Sequence, residues 1–352
     1  MNTYLMWPEL RNEDLLFVHN DRIWRHNLKS GETFSILGDA GAISNPKISP
    51  DGKKIAFRAL SSKDSTAEIY TVDFNGDNLK RVTYMGSMTT NMVCWNPEGN
   101  IIVSSDYNTP MGRWIELFEV PPDGGEPINL GLGPANHLAY SKHATLLGRN
   151  TNDVPFWKRY GGGTSGSLWL DSDNSGNFRL LLKNYGRITC PMIHGEKILF
   201  VSDKDGIANV YLMDYKGKDI EKISNSTDFY VRNASIDGDR IVYQAGGSIF
   251  ILDLGTGKTE RVKINLSSPG PHDHRKFINP EDHLTSITLN NDSSLLAAIS
   301  RGHGFVMDPL GGPVFEINKK ADQRIRNADF VDDENVVLST TDGLNEYVVI
   351  IT

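Results

Sequence analysis

A unit of about 45 residues recurs eight times along this chain of 352 residues. Each copy carries a short apolar run, and the runs begin 40, 46, 45, 52, 43, 54 and 41 residues apart. A regular period of this length predicts a repeat architecture in which each copy packs on its neighbours. The runs are Leu15-Leu16-Phe17, Ile55-Ala56-Phe57, Ile101-Ile102-Val103, Leu146-Leu147, Ile198-Leu199-Phe200, Ile241-Val242-Tyr243, Leu295-Leu296-Ala297 and Val336-Val337-Leu338.

Polar turns and further β-rich runs surround each apolar run. Pro50-Asp51-Gly52 and Pro97-Glu98-Gly99 precede two of them, and Glu68-Ile69-Tyr70-Thr71-Val72 is typical of the runs that follow. β-branched and aromatic residues between Gly, Asp and Asn turns indicate antiparallel strands joined by tight hairpins. Four short strands in each repeat form one propeller blade. The sequence therefore predicts an all-β protein, a β-propeller built from four-stranded antiparallel blades.

The two longest intervals suggest how the eight repeats are divided. The 52-residue interval contains a polar, glycine-rich stretch over 150–164, and the 54-residue interval contains a stretch rich in Pro, Gly, His and Ser. We predict a six-bladed propeller over 1–264, a linker over 265–282 and two further blade repeats over 283–352. One seven- or eight-bladed ring is the alternative. The eighth copy has only three strands, so either the N-terminal segment completes it or the chain stops inside a second propeller.

Composition argues against several partners. The net charge is −8 and no long basic run occurs, whereas phosphate binding needs clustered Lys and Arg. We therefore expect no nucleic-acid partner. Only two cysteines, Cys94 and Cys190, are present, which favours reduced thiols in a cytosolic setting. No apolar stretch is long enough to span a bilayer and no leader pattern opens the sequence, so a cytoplasmic protein without membrane contact is expected.

Several motifs resemble the tricorn protease family. The stretch from Gly148 to Trp169 resembles the fourth blade of that family's N-terminal propeller in Gly148-Arg149-Asn150-Thr151, Pro155, Trp157-Lys158, Tyr160, Gly162-Gly163-Thr164, Gly166 and Trp169. Asp21-Arg22-Ile23-Trp24 is similar to its opening hairpin. Ser300-Arg301-Gly302 resembles the start of its second propeller.

This resemblance implies a six-bladed propeller joined to the beginning of a second one. Tricorn-like proteins are large cytoplasmic serine peptidases that degrade oligopeptides and assemble into rings. Their propellers are thought to guide peptides to and from a catalytic centre on later domains, which have no counterpart in this sequence. The implied partners are oligopeptides, a peptidase partner or further copies of the chain. One departure is that 85–92, where the family carries paired arginines implicated in holding the substrate carboxylate, contains no arginine.

The chemistry-bearing motifs are incomplete. Gly163-Thr164-Ser165-Gly166-Ser167 lacks the final glycine of a nucleophile elbow, and Gly257-Lys258-Thr259 lacks the first glycine of a phosphate-binding loop. The stretch 171–176 resembles the start of a calcium loop, but Leu182 stands where the bidentate glutamate belongs. His272-Asp273-His274 supplies two imidazoles, one fewer than a catalytic zinc usually needs. We therefore expect no catalytic residue, no metal site and no cofactor.

The candidate binding residues lie on and beside the long loop of the fourth repeat. Long loops in compact domains are usually functional, and aromatic side chains next to guanidinium groups suit recognition of peptides. The alternative is that Trp157 and Tyr160 only pin the loop onto the propeller. The predicted peptide- or partner-binding residues are Arg149, Trp157, Lys158, Arg159 and Tyr160.

Three functions remain open from the sequence. The first is a non-catalytic peptide- or protein-binding propeller, similar to the substrate-guiding N-terminal part of a tricorn-like serine peptidase. The second is a hydrolase or lyase whose active site is dispersed over propeller loops. The third is a structural scaffold that docks a separate catalytic chain.

Overall fold

A computed structural model describes residues 4–38, 40–266, 277–317, 320 and 323–352 of the chain. Within these residues the backbone forms 31 β-strands and two short 3₁₀ turns, at Val154–Trp157 and Pro280–His283. No helix in these ranges is long and apolar enough to cross a membrane. The chain divides into two compact units, residues 1–271 and 272–352. The predicted all-β fold is confirmed.

The first unit contains six antiparallel sheets, each made of four consecutive strands. The first two blades comprise β1 (Met6–Arg11), β2 (Asp14–His19), β3 (Arg22–Asn27), β4 (Thr33–Leu37), β5 (Ala42–Ile48), β6 (Lys54–Leu60), β7 (Glu68–Asp73) and β8 (Lys80–Arg81). The next two comprise β9 (Thr90–Trp95), β10 (Ile101–Ser105), β11 (Glu116–Val120), β12 (Ile128–Asn129), β13 (His137–Tyr140), β14 (Thr145–Arg149), β15 (Ser167–Asp171) and β16 (Arg179–Lys183). The last two comprise β17 (Ile188–His194), β18 (Lys197–Ser202), β19 (Asn209–Asp214), β20 (Glu221–Lys222), β21 (Arg232–Asp237), β22 (Arg240–Ala245), β23 (Ser248–Asp253) and β24 (Thr259–Arg261).

The recurring apolar runs are the second strands of the blades. Side chains alternate between the two faces of a strand, and each face of a blade is covered by a different neighbour. In β6, Ile55 and Phe57 pack towards the first blade, while Ala56 packs towards the third. All three are fully buried, and burying a side chain as large as that of Ile55 or Phe57 stabilises the fold by about 1.5–3 kcal/mol. These strands therefore need continuous apolar runs. Strands with one solvent-exposed face instead alternate apolar and polar residues.

Six blades close the ring of the first unit. Its core consists of six hydrophobic clusters, each drawn from two neighbouring blades, and one of them joins Phe17 of the first blade to Val242 of the sixth. The Leu5 amide also donates to the Gly247 carbonyl over 2.9 Å. The structure thus has the predicted six-bladed ring and not the seven- or eight-bladed alternative. Because β1 is the innermost strand of the first blade, the N-terminal segment does not complete the eighth repeat.

The second unit contains the seventh and eighth repeats. The seventh is a four-stranded sheet and the eighth has three strands, as expected, with a small core that includes Ile299, Ile325 and Leu338. The predicted linker lies largely outside the described residues, since 267–276 are not described. The strands are β25 (Leu284–Leu289), β26 (Leu296–Ser300), β27 (His303–Met307), β28 (Val314–Glu316), β29 (Arg324–Phe330), β30 (Val336–Thr341) and β31 (Glu346–Ile351).

Gln244 provides a test of ring closure. Its buried Oε1 accepts hydrogen bonds from the Trp7 amide of the first blade, over 2.7 Å, and from Asn233 Nδ2, over 3.0 Å. Gln244→Met should lower the free energy of unfolding by about 1–3 kcal/mol, because it leaves both donors without this acceptor. Urea unfolding measures the loss. Glu260→Met, on the exposed outer strand of the same blade, is the control, and an equal loss in both variants would contradict this role.

Candidate functional site

A central channel passes through the first unit, with a cavity volume of about 550 Å³. Its wall is formed by the innermost strands of all six blades, β1, β5, β9, β13, β17 and β21. These strands run in the same direction, so their first residues meet at one mouth of the channel. The loops joining second to third strands reach the same mouth, because neighbouring strands in each blade are antiparallel. The long loop of the fourth repeat is one of these loops.

Bulges interrupt five of the innermost strands, β1, β5, β9, β17 and β21. The pairing of β1, β5, β17 and β21 with their neighbours shifts by one or more residues there, and positive φ angles occur at Trp7, Asn45, Cys190 and Asn233. Proline follows the first three of these residues and cannot donate to a strand ladder. Bulges bend a strand and re-aim side chains, which places polar groups such as Asn45 on the channel wall. The recurring X-Pro pairs at 7–8, 45–46 and 190–191 were a sequence signal of this feature.

Two ion pairs lie on the channel wall. Lys47 Nζ lies 2.6 Å from Glu9 Oε2 between the first two blades. Arg232 Nε donates to Asp153 Oδ2 over 2.9 Å, which joins the long loop to the start of β21. Both pairs are half-buried. A partly buried pair is screened less than a surface pair, so each pair holds its two side chains in place on the wall.

Titratable groups of the channel wall are held neutral by burial. His137 Nδ1 lies 2.8 Å from Thr151 Oγ1, and burial, with a smaller effect of Lys47, lowers the pKa of His137 to about 4. Burial raises the pKa of Cys94 to about 12 and also raises the pKa of Cys190. Because the thiolate is the nucleophilic form, burial disfavours the reactive state of both thiols.

The long loop over 150–166 crosses from the fourth blade towards the fifth and sixth. Val154, in its 3₁₀ turn, is fully buried in the cluster between those two blades, beside Leu199 and Tyr243. The Arg159 amide donates to Asp203 Oδ2 over 2.6 Å. Val154 and Asp153 therefore anchor the loop across the channel mouth. Sequence reasoning missed both residues, since neither carries a recognisable motif.

The predicted binding residues occupy different surroundings. Trp157 is 54% exposed, and its ring centroid lies 5.1 Å from that of Tyr160. Lys158 Nζ lies 5.4 Å from the Tyr230 ring, and Arg159 is exposed with a positive φ. Arg149 instead donates to the carbonyls of Pro134 and Leu132 and lies over the Trp169 ring. Trp157, Lys158 and Arg159 are thus exposed on the loop, whereas Tyr160 is partly buried over Arg187 and Arg149 holds the segment before β13.

The other motifs form turns. The Asp171 carboxylate, 2% exposed, accepts hydrogen bonds from the Ser175 and Gly176 amides, so it caps the turn between β15 and β16. Ser165 lies in a turn, and its amide donates to the Gly162 carbonyl. His272-Asp273-His274 falls outside the described residues. In the ranges that the structure describes, no three His, Cys, Asp or Glu side chains are grouped as a metal ion would require.

The stretch 85–92 is held by carboxylates of neighbouring segments. The fully buried Glu68 accepts from the amides of Met85 and Gly86, and the Thr89 amide donates to Asp106 Oδ1 over 2.9 Å. Arg58, from β6, donates through Nε to the Thr90 carbonyl over 2.8 Å. An arginine of the second blade therefore contacts this stretch, although the stretch has none of its own.

These features define a six-bladed β-propeller with a bulged central channel and a loop anchored across one mouth. Residues 2–258 match the family model of the tricorn protease N-terminal beta propeller domain. The chain therefore belongs to the tricorn protease family, and the resemblance found in its motifs is confirmed. The matched region covers the six blades of the first unit except for β24, which begins at Thr259.

Similar proteins agree with this assignment. A tricorn protease homolog of Saccharolobus solfataricus is 34% identical over 97% of this chain. The crystal structure of the tricorn protease superposes with a TM-score of 0.74 at 32% identity over 100% of this chain. The chain spans only 33% and 35% of these two longer chains.

In Sulfurisphaera tokodaii the similarity is shared by two proteins. A tricorn-like protease N-terminal subunit matches 49% of this chain at 32% identity over 89% of its own length. The corresponding C-terminal subunit matches 47% of this chain at 34% identity over 19% of its own length.

Acid should destabilise the protein through His137. Because burial lowers its pKa in the folded state, the neutral form is favoured there, and the stability it contributes is lost as the pH falls from about 6.5 towards 4. That loss is about 2–3 kcal/mol of the free energy of unfolding between pH 7 and pH 4.5. In His137→Gln the free energy of unfolding should fall by that much less between the two pH values. Urea unfolding at both pH values measures it. His143→Gln, at an exposed position, should keep the full difference, and an unchanged difference in His137→Gln would refute the assignment.

Proposed function

We propose that the first unit binds peptides without cleaving them, and that it serves as the substrate-guiding module of a tricorn-like serine peptidase. The observation that carries the proposal is the channel, whose wall consists of six edge strands. Each innermost strand has a hydrogen-bonded neighbour on one side only. Unpaired backbone groups on such an edge can hydrogen-bond an extended peptide whatever its sequence. A guiding module needs this tolerance of sequence.

The loop at the mouth supplies a place of first contact. Phe156 is 72% exposed and Trp157 54%, and Lys158 and Arg159 lie beside them. Rigid aromatic side chains give contact area at little entropic cost, and the cations attract peptide carboxylates. We assign Trp157, Lys158, Arg159 and Tyr160 to this contact. Arg149 acts as a positioning residue through its hydrogen bonds to the segment before β13.

The catalytic partner is a peptidase chain or domain outside these residues. The relatives described above extend well beyond the length of this chain, and one pair divides the similarity between two subunits. We propose that 1–264 is the guiding propeller, that 265–282 link it to the next domain, and that 283–352 begin a second propeller. A cytoplasmic location follows from this role.

The first experiment is incubation with a mixed oligopeptide pool, followed by ultrafiltration and mass spectrometry of both fractions. The proposal expects peptides of unchanged length, some of which are retained with the protein. Shortened peptides would establish a dispersed active site and overturn the non-catalytic assignment. Intact peptides of which none is retained with the protein would refute peptide binding.

Substitutions in the long loop test the contact residues. Trp157→Ala and Arg159→Ala should each weaken binding of a retained peptide by about tenfold, the effect of losing one anchoring contact. Fluorescence anisotropy of a labelled peptide measures the affinity. Phe34→Ala, at a similarly exposed aromatic on the outer strand of the first blade, is the matched control. Unchanged affinity in both loop variants would refute the assignment.

A scaffolding role is a second candidate, favoured by exposed apolar side chains in the second unit. Val348 is 78% exposed and Ile350 63%, both on β31, and Ile287 on β25 is 55% exposed. In a propeller each blade face is covered by a neighbouring blade, so a docked chain that supplied such a blade would cover these side chains.

Light scattering after size exclusion tests the scaffolding role. We expect self-association that Val348→Lys abolishes, because a charge cannot be buried without a partner. Lys320→Ala, at an exposed position in the same unit, is the control. A monomer at all concentrations would argue against a self-docking scaffold.

A further inference from the structure

Arg187 is a buried arginine with an unused hydrogen-bonding edge. It directly precedes β17, and only 1% of its surface is exposed. Its Nη1 donates to the Thr164 carbonyl over 3.0 Å, whereas Nε and Nη2 have no hydrogen-bond partner among the described residues. These two nitrogens lie on the same edge of the planar guanidinium group. Buried donors are nearly always paired, so an unpaired edge on a buried cation requires an explanation.

The neighbouring carboxylates are engaged elsewhere. Asp203 accepts the Arg187 amide at Oδ1, over 2.7 Å, and the Arg159 amide at Oδ2, over 2.6 Å. Asp153 accepts hydrogen bonds from Arg232. Both carboxylates attract the guanidinium through space without bonding to its free edge, and burial is the main effect on Arg187, whose pKa it lowers.

The backbone before Arg187 fixes this arrangement. Gly186 has a φ of +61°, and a Cβ atom there would lie 2.7 Å from the Lys204 amide nitrogen and 2.8 Å from Asp203 Oδ1. Only glycine therefore allows Asp203 to approach and cap the entry to β17. The backbone position of Arg187 is therefore built into the fold.

The cover over Arg187 is the middle of the long loop, residues 155–164. The Tyr160 ring centroid lies 5.7 Å from Arg187 Cζ, and the Tyr160 hydroxyl lies 2.2 Å from where a Cβ of Gly162 would be. Most side chains of this segment are exposed. The anchors Thr151, Asp153 and Val154 lie before it. Within the segment, the Arg159 amide donates to Asp203 and the Thr164 carbonyl accepts from Arg187 Nη1. Segments with few buried contacts open locally at low cost in free energy, so this cover can lift while its anchor stays in place.

We propose that Arg187 is a carboxylate-binding residue whose Nε and Nη2 take the two oxygens of a peptide carboxylate when residues 155–164 lift from it. Two parallel donors on one guanidinium edge match the two oxygens of one carboxylate. The inference rests on the proposed peptide binding at this mouth. The carboxylate arrives along the channel wall, since Thr189, two residues beyond Arg187, lines the channel.

The positive charges around the mouth support the same ligand. Lys158 and Arg159 are exposed on the cover, and Lys204 Nζ lies 4.0 Å from the Tyr185 ring, two residues before Arg187. These cations raise the local concentration of carboxylates before the cover opens. The two parallel donors of the buried Arg187 guanidinium group then distinguish a carboxylate from a neutral amide.

The first test uses acetate as the probe and thermal unfolding as the readout, so it does not depend on peptide binding. Acetate should raise the melting temperature of the wild-type protein relative to equal chloride, because it binds only the folded state. Arg187→Met should abolish that shift, and Arg261→Met, at an exposed position on β24, should retain it. Equal shifts in all three proteins would overturn the proposal. If Arg187→Met does not fold, Arg187→Lys keeps the charge but lacks the two parallel donors and should show a reduced shift.

The second test compares a tripeptide carrying a free C-terminal carboxylate with its C-terminal amide. The wild-type protein should bind the free acid at least about tenfold more tightly, as expected for a charge-assisted pair, and Arg187→Lys should lose most of that preference. A tripeptide amide that contains a glutamate shows whether a side-chain carboxylate can replace the C-terminal one in binding. Peptide binding without a preference, or with a preference that survives the substitution, would refute this inference alone. Absence of binding by every peptide would instead refute the proposed function.

Discussion

Each blade of the first unit has two apolar faces, and only the two adjacent blades can cover them. Ile55 and Phe57 on one face of β6 and Ala56 on the other show how one strand supplies two different hydrophobic clusters. Six such clusters follow one another around the ring, and the last joins β2 to β22. A blade at the end of an open row would leave one of these faces in water, so closing the ring buries the remaining apolar faces. The channel and its loops depend on that closure.

Closure creates the channel by leaving six innermost strands without a neighbour on one side. Edge strands in soluble proteins are usually protected, and here bulges and prolines interrupt regular pairing in several blades. The same interruptions keep polar groups on the wall, and burial holds His137 and the two thiols neutral. The channel is therefore a hydrogen-bonding passage with two ion pairs on its wall.

The long loop combines a fixed anchor with a weakly held cover. Val154 and the Asp153–Arg232 pair tie its first part to the fifth and sixth blades, and the following residues expose aromatic and cationic side chains. Arg187 beneath the cover has two donors unused by the protein itself. Polar groups left unpaired in an otherwise well-packed fold are characteristic of sites where a ligand completes the bonding, and this property links the loop to the proposed peptide function.

The sequence by itself determined the blades, because each blade is a local structure. The apolar runs, the Asp-Gly turns and the 40- to 54-residue spacing specify hairpins that form between neighbouring segments of the chain. Motifs from Gly148 to Trp169 also identified the family. Only the tertiary structure decided that six blades close the ring, since the Phe17 and Val242 side chains meet across more than two hundred residues of sequence. It alone placed Arg187 beneath the long loop and turned Arg149 away, because burial and side-chain direction depend on which distant segments a residue packs against.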